Sequence, residues 1–399
     1  MQRGSGRLRA LFARDGLRAG IQRSFKGSWS ALRERAFGTF NPDRTLWLAV
    51  FALLAAGLVM VYSSSFIFAK DRYRDGLFFF KRHLVFSAVG IGAFLFAWRL
   101  PVEKLRAAAV PMLLAVTAAL GATLIPGLSR HAGGAARWLN VAGFTFQPSE
   151  LAKFAVILYV ATQLSRKLDR QDNWRSGFLT YFIGTLPIYV LLLNQPDFGT
   201  AAVCAAVTFL MLLSCGVRMR YLLTSIGLMI PAAAILILTQ PYRVKRVLGF
   251  LDPWSDPAHK GFQVIQSFLA FFSGKWFGVG LGNSHAKLLY LPEAHNDFIF
   301  AIVGEELGLF GVVFFVGLFA VLVSRGLKTV ERLGDPFERG LAAGITSLVG
   351  IQAFFNMAVV LGLLPTKGLP LPLISYGGTA LITMLFLLGI LARLAEKKS

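Results

Sequence analysis

The chain has 399 residues, 55% of them hydrophobic and 15% charged, with mean hydropathy +0.62 and net charge +21. Repeated apolar runs of roughly 17–25 residues, the length a bilayer-spanning helix needs, exclude a soluble multidomain protein. In that setting the positive charge reads as Lys/Arg held in cytoplasmic loops against anionic membrane lipids, so no nucleic-acid partner is expected.

Residues 1–44 hold 10 Lys/Arg and 3 Asp/Glu. They are expected to be a disordered cytoplasmic tail that enforces topology; a basic amphipathic helix over 8–25 is the alternative. No cleavable signal peptide is evident. Ten spanning helices follow, at about 45–65, 79–98, 106–126, 149–164, 178–194, 198–215, 221–239, 298–323, 340–362 and 373–392. The expected fold class is therefore all-α and polytopic, with one membrane domain at 45–393 and a short tail at 394–399. Pro187 and Pro231 are expected to kink helices five and seven. Residues 195–197 make a tight turn between helices five and six. Cys204 and Cys215 are the only cysteines. Eleven residues of helix separate them by roughly 16 Å, too far for a disulfide.

Charge sets the orientation. With both termini inside, the interior loops and C-terminal tail carry sixteen Lys/Arg, and the short exterior loops and their borders eight. Lys/Arg excess marks the cytoplasmic side. The one large exterior loop, about 240–297, mixes cations with apolar stretches and closely spaced glycines. Short interfacial helices are expected there rather than a free loop.

Four segments carry polar groups where a membrane protein can ill accommodate them. QPSELAK (147–153) sets Glu150 and Lys153 three residues apart on one helical face, either bordering a site or locking two helices. YRVKR (242–246) puts Arg243 and Arg246 on one face beside the bilayer, as forked donors for phosphate or for ordinary lipid headgroups. LPEAHNDFIFAIVGEELG (291–308) places His295 and Asp297 at the mouth of helix eight. A partly desolvated carboxylate there suits a general base; Asn296 or Asp297 would equally cap the helix. Glu305 and Glu306 lie further into the apolar run, where a charge costs several kcal/mol unless paired or wet. LPTKGLPLPLISYGGTAL (364–381) is broken by three prolines. It then brings Ser375 into the membrane among small residues, as in a polar cavity or a close helix seam. Arg137, an exterior cation, joins Arg243, Arg246, Glu150, Lys153, His295 and Ser375 as a candidate substrate-binding residue. No cofactor is predicted; a divalent cation stays open, although no metal-ligand spacing occurs.

QPSELAK, QPDFGTA (195–201), YLPEAHNDFIFAIVGEELG and LPTKGLPLPLISYGG resemble the signature segments of the SEDS family of bacterial shape, elongation, division and sporulation proteins. The resemblance covers nearly all ten helices and leaves out only the basic tail. Ala294 and the 366–368 segment look more like the division member than the elongation member; Asn296, where many relatives have Thr, departs from the pattern. The resemblance implies a peptidoglycan glycosyltransferase that polymerises lipid II, with Asp297 at the family's essential acid. It implies a class B penicillin-binding transpeptidase partner (FtsI-type), other divisome membrane proteins, and a place in the bacterial inner membrane at the division septum. A lipid II flippase and a non-enzymatic divisome scaffold are the alternatives.

Overall fold

The computed structural model describes residues 43–132, 135–141, 144–167, 179–257, 261–287, 295–366 and 368–396. The basic tail, residues 291–294 and Lys367 lie outside them.

The spanning helices follow the apolar runs. They are α1 (Arg44–Tyr73), α2 (Phe78–Arg99), α3 (Val102–Ala122), α4 (Pro148–Lys167), the pair α5 (Thr180–Ile183) and α6 (Leu186–Asn194), α7 (Phe198–Ser214) and α8 (Met219–Leu238). After the large loop come α11 (Ile299–Arg332), α12 (Pro336–Val360) and α13 (Gly378–Ala395). Seven of these are long and apolar enough to cross a membrane on composition alone. α4 is not, because it carries Glu150, Lys153, Arg166 and Lys167, yet it is buried without interruption from Ala152 to Thr162. It is a core helix that meets other helices instead of lipid, so a hydropathy window misjudges it. α7 is short but packs in the same bundle against α4 and α12. Cys204 and Cys215 are both buried and free.

Three features differ from the sequence expectation. The fifth span is not one helix from 178 to 194: it breaks at Gly184 and Thr185, and Pro187 sits in the first turn of α6. Proline belongs there, because its missing N–H would be unsatisfied anyway. The connection before α4 holds a small antiparallel sheet, β1 (Ser129–Ala132), β2 (Ala135–Val141) and β3 (Phe144–Phe146), in the order β1-β2-β3. Its strands are too short for an alternation signal to stand out beside the apolar runs. The third feature is the length of α11, which reaches Arg332 but leaves helical geometry at Gly308.

The large loop is built from α9 (Pro241–Leu251), a 3₁₀ turn (Pro253–Ser255) and α10 (Phe262–Gly274), which packs on α11. At Gly308, φ is 64° and ψ is −160°, a region only glycine occupies at low cost. The bend frees two donors, and residues 275–276 take them: Leu309 N–H bonds Lys275 O at 2.9 Å and Phe310 N–H bonds Trp276 O at 3.3 Å. Val279 and Gly280 donate to the carbonyls of Glu305 and Glu306, at 3.0 Å each. The loop thus completes the backbone of α11, as a break buried in protein requires.

Ties between elements sort the loops onto two faces. Asp43 accepts from Arg325, Trp98 donates to Glu396, and Arg106 pairs with Asp335. Both ends of the described chain therefore lie on the face that carries the 99–106 and 332–336 connections. On the opposite face Arg137 reaches the 195–196 turn, Arg246 reaches Thr366, and Ser375 reaches Asn296.

Candidate active site

The opposite face brings three of the four motifs together around Asp297. Asp297 is half-buried in the turn before α11. The capping position of that helix is Phe298, whose side chain makes no capping bond. Beside the Asp297 carboxylate runs the main chain at Gly368, where a β-carbon would collide with Oδ2. A side chain at 368 would have to push that carboxylate aside, so glycine there leaves the acid where it stands. Two residues earlier, Thr366 O accepts from Arg246 Nη1 at 3.3 Å.

Arg243 and Arg246 face a cleft of about 160 Å³, walled by Phe198, Ala202, Ile237, Phe355 and the 364–366 segment. Arg243 is 9% exposed. Its Nη1 donates to Leu236 O at 2.5 Å, its guanidinium lies 5.3 Å from the Phe198 ring, and its buried Nε has no hydrogen-bond partner. Two guanidinium groups bordering an apolar cleft offer a place for an anion attached to an apolar chain.

The other candidates sit elsewhere. Glu150 and Lys153 form a buried ion pair at 2.7 Å. Glu150 borders a void of about 10 Å³ beneath residues 370–373 and Ser375, which is not part of the arginine cleft. Room for roughly one water is all such a void gives. The Ser375 hydroxyl is used on the backbone, accepting from Leu371 N–H at 2.8 Å and donating to Asn296 O at 2.6 Å. His295 is packed among Phe79, Phe68 and Tyr376, at ring distances of 4.6, 5.5 and 6.0 Å. Arg137 donates to Gln195 O at 3.2 Å and Pro196 O at 2.7 Å, and so ties β2 to the turn before α7. Among the described residues, no three His, Cys, Asp or Glu side chains converge as a metal site would need.

The acids inside α11 are both satisfied. Glu306 is within 2.9 Å of Lys287 Nζ, and Ser63 Oγ lies 2.7 and 2.6 Å from its two oxygens. Glu305 accepts from the N–H groups of His285 and Ala286 and from Ser284 Oγ. Both carboxylates hold the 275–287 loop against α11. Lys287 was not singled out in the sequence, since nothing local marks one loop lysine among four. Asn356 was missed too; a lone amide within the apolar run of α12 was the available signal.

Residues 43–399 match the family model described as "Cell cycle protein", which groups FtsW, RodA and SpoVE. The chain belongs to this family. It is the SEDS family that the motifs resemble, and the match leaves out only the basic tail. The chain is 44% identical over 355 residues to a protein of Geobacter metallireducens named "Probable peptidoglycan glycosyltransferase FtsW", covering 89% of this chain and 95% of that one. A Methylococcus capsulatus protein of the same name is 40% identical over 378 residues, covering 94% and 95%. The fold is similar to a chain from the work described as "Structural coordination of polymerization and crosslinking by a peptidoglycan synthase complex", at 31% identity and a TM-score of 0.72 over 89% of this chain and 98% of that one. It is also similar to the rod-shape-determining protein RodA of Thermus thermophilus, at 26% identity and a TM-score of 0.67 over 90% and 99%. These SEDS proteins share the bundle of about ten helices, and the chain is a multi-pass membrane protein.

Proposed function

We propose that this SEDS protein polymerises lipid II into glycan strands for the septal wall, with Asp297 as general base. Peptidoglycan glycosyltransferase activity itself follows from relatives of that name at 44% identity over most of the chain. The observation that carries the finer reading is the juxtaposition on one face. The acid stands against Gly368, and the segment leading to it walls the cleft of Arg243 and Arg246.

The chemistry follows from those positions. The acceptor sugar's 4-hydroxyl attacks the anomeric carbon of the donor. The new C–O bond forms as the bond to undecaprenyl pyrophosphate breaks, and the configuration inverts. Asp297 takes the hydroxyl proton. The two arginines hold the departing pyrophosphate, and fixed cations at the site of developing charge stabilise the transition state. The apolar wall suits the first part of a polyprenyl chain. A crosslinking transpeptidase of the class B penicillin-binding type is the proposed partner, because the similar complex joins polymerisation to crosslinking. The division septum is the proposed site of action, with both termini cytoplasmic.

A flippase would need acids that line a continuous path. Glu305 and Glu306 are instead spent on one loop, and Glu150 on Lys153. The test is glycan synthesis from lipid II by purified protein and by Asp297→Asn, with any partner supplied equally. Asparagine keeps the size but takes no proton, so a loss of about 10²–10⁴-fold is expected at unchanged thermal stability. Comparable polymer from both proteins would remove Asp297 from the chemistry. Transfer of lipid II across liposomes without polymer would put the flippase first.

A further inference from the structure

Three consecutive carbonyls before α11 are each held from outside. His295 O accepts from Tyr376 N–H at 3.0 Å, Asn296 O from Ser375 Oγ at 2.6 Å, and Asp297 O from Asn356 Nδ2 at 2.8 Å. The first two partners belong to the connector after α12. The third is a side chain within α12, only 1% exposed. Its second N–H bonds Leu369 O at 2.7 Å. Leu369 follows Gly368, the residue whose backbone lies against the Asp297 carboxylate. One amide therefore fastens both strands of chain that border the acid. Turned over, Asn356 would set Oδ1 against two carbonyl oxygens, so only one orientation of the amide fits. α11 has no side-chain cap at its start. The outside donors hold the backbone carbonyls of residues 295–297.

We propose that Asn356 is a positioning residue for glycosyl transfer: it sets where the Asp297 carboxylate stands by holding the Asp297 and Leu369 carbonyls together. It touches neither substrate nor the travelling proton. The proposal rests on the reading of Asp297 as base. Placement matters at that step, because a misplacement of about 1 Å can cost on the order of 10²-fold in rate.

The experiment compares purified wild type, Asn356→Ala and Asn356→His, with kcat and KM for lipid II measured separately. Histidine keeps one ring N–H at a similar reach. Asn356→Ala is expected to lose roughly 10–100-fold in kcat, with KM and melting temperature near wild type, and Asn356→His to recover part of the loss. A second readout does not depend on catalysis. A thiol introduced by Asp297→Cys is alkylated with a maleimide in the wild-type and Asn356→Ala backgrounds, and faster alkylation is expected in the latter. Unchanged kcat in Asn356→Ala, or equal alkylation rates in the two backgrounds, would overturn the proposal. Asn356→His carries the same two readouts where Asn356→Ala yields no folded protein. If Asp297→Asn proves fully active, the base reading fails by itself, and the alkylation rates alone then decide whether Asn356 places residue 297.

Discussion

At the scale of single residues, the buried charges are explained by their partners. Glu306 is wholly buried and Lys287 is 5% exposed, at 2.9 Å from one another. Breaking such a pair leaves an uncompensated ion, which costs about 3–5 kcal/mol, whereas removing both charges is often nearly neutral. Lys287→Met is therefore expected to lower thermal stability in detergent by that amount, and adding Glu306→Gln to restore most of it. A double variant as unstable as the single one would show that Lys287 acts other than by pairing with Glu306. The sequence marked Glu306 as costly where it stood, because depth in an apolar run is a local property. It did not name Lys287, 19 residues away, or Ser63, 243 residues away. The same limit applied around Asp297. Its place at the helix mouth was legible from the polar-to-apolar step. Its contacts with Gly368 and Asn356 depend on how α11, α12 and the connector meet.

At the scale of elements, helix positions came through because hydropathy is a length signal, and the breaks inside them did not. The fifth span read as one helix, since Leu, Ile and Tyr continue through Gly184. The eighth span read as one helix at about 298–323, since glycine within an apolar run is compatible with a helix. Its bend at Gly308 depends on the 275–280 segment entering to take the released hydrogen bonds. Glycine is required there twice over. Its φ of 64° with ψ near −160° costs another residue about 1–3 kcal/mol, and a β-carbon would meet the backbone of Gly278 and Trp276. Gly308→Ala is expected to lower the melting temperature and to unseat the loop. Limited trypsin digestion, read by mass spectrometry, should then show faster cleavage after the exposed Lys275. An unchanged melting temperature together with an unchanged cleavage rate at Lys275 would mean that the loop does not depend on the bend.

At the scale of the whole molecule, the two faces differ in what they are made of. One joins its helices by ion pairs, Arg106 with Asp335 and Arg325 with Asp43. The other folds its connections into a sheet, two loop helices and a braced connector, and holds the arginine cleft and Asp297. The Lys/Arg bias of the sequence favours the first face as the cytoplasmic one, in line with the proposed orientation. Lipid II polymerisation would then take place outside, which the proposed function requires. The assignment can be tested with a thiol in the 240–297 loop. Ser284 is a poor position for it, because that residue is 2% exposed and its hydroxyl is bound to Glu305. Ser255 is exposed, and its hydroxyl bonds only the nearby Asp252 carbonyl, at 2.8 Å. The native thiols add little background, since Cys204 and Cys215 are both buried. Ser255→Cys should therefore react with a membrane-impermeant maleimide in intact spheroplasts, while Lys328→Cys on the opposite face should react only after lysis. The reverse pattern would place Asp297 on the cytoplasmic side and sink the glycan-polymerising reading, because the acid would then face away from the growing wall.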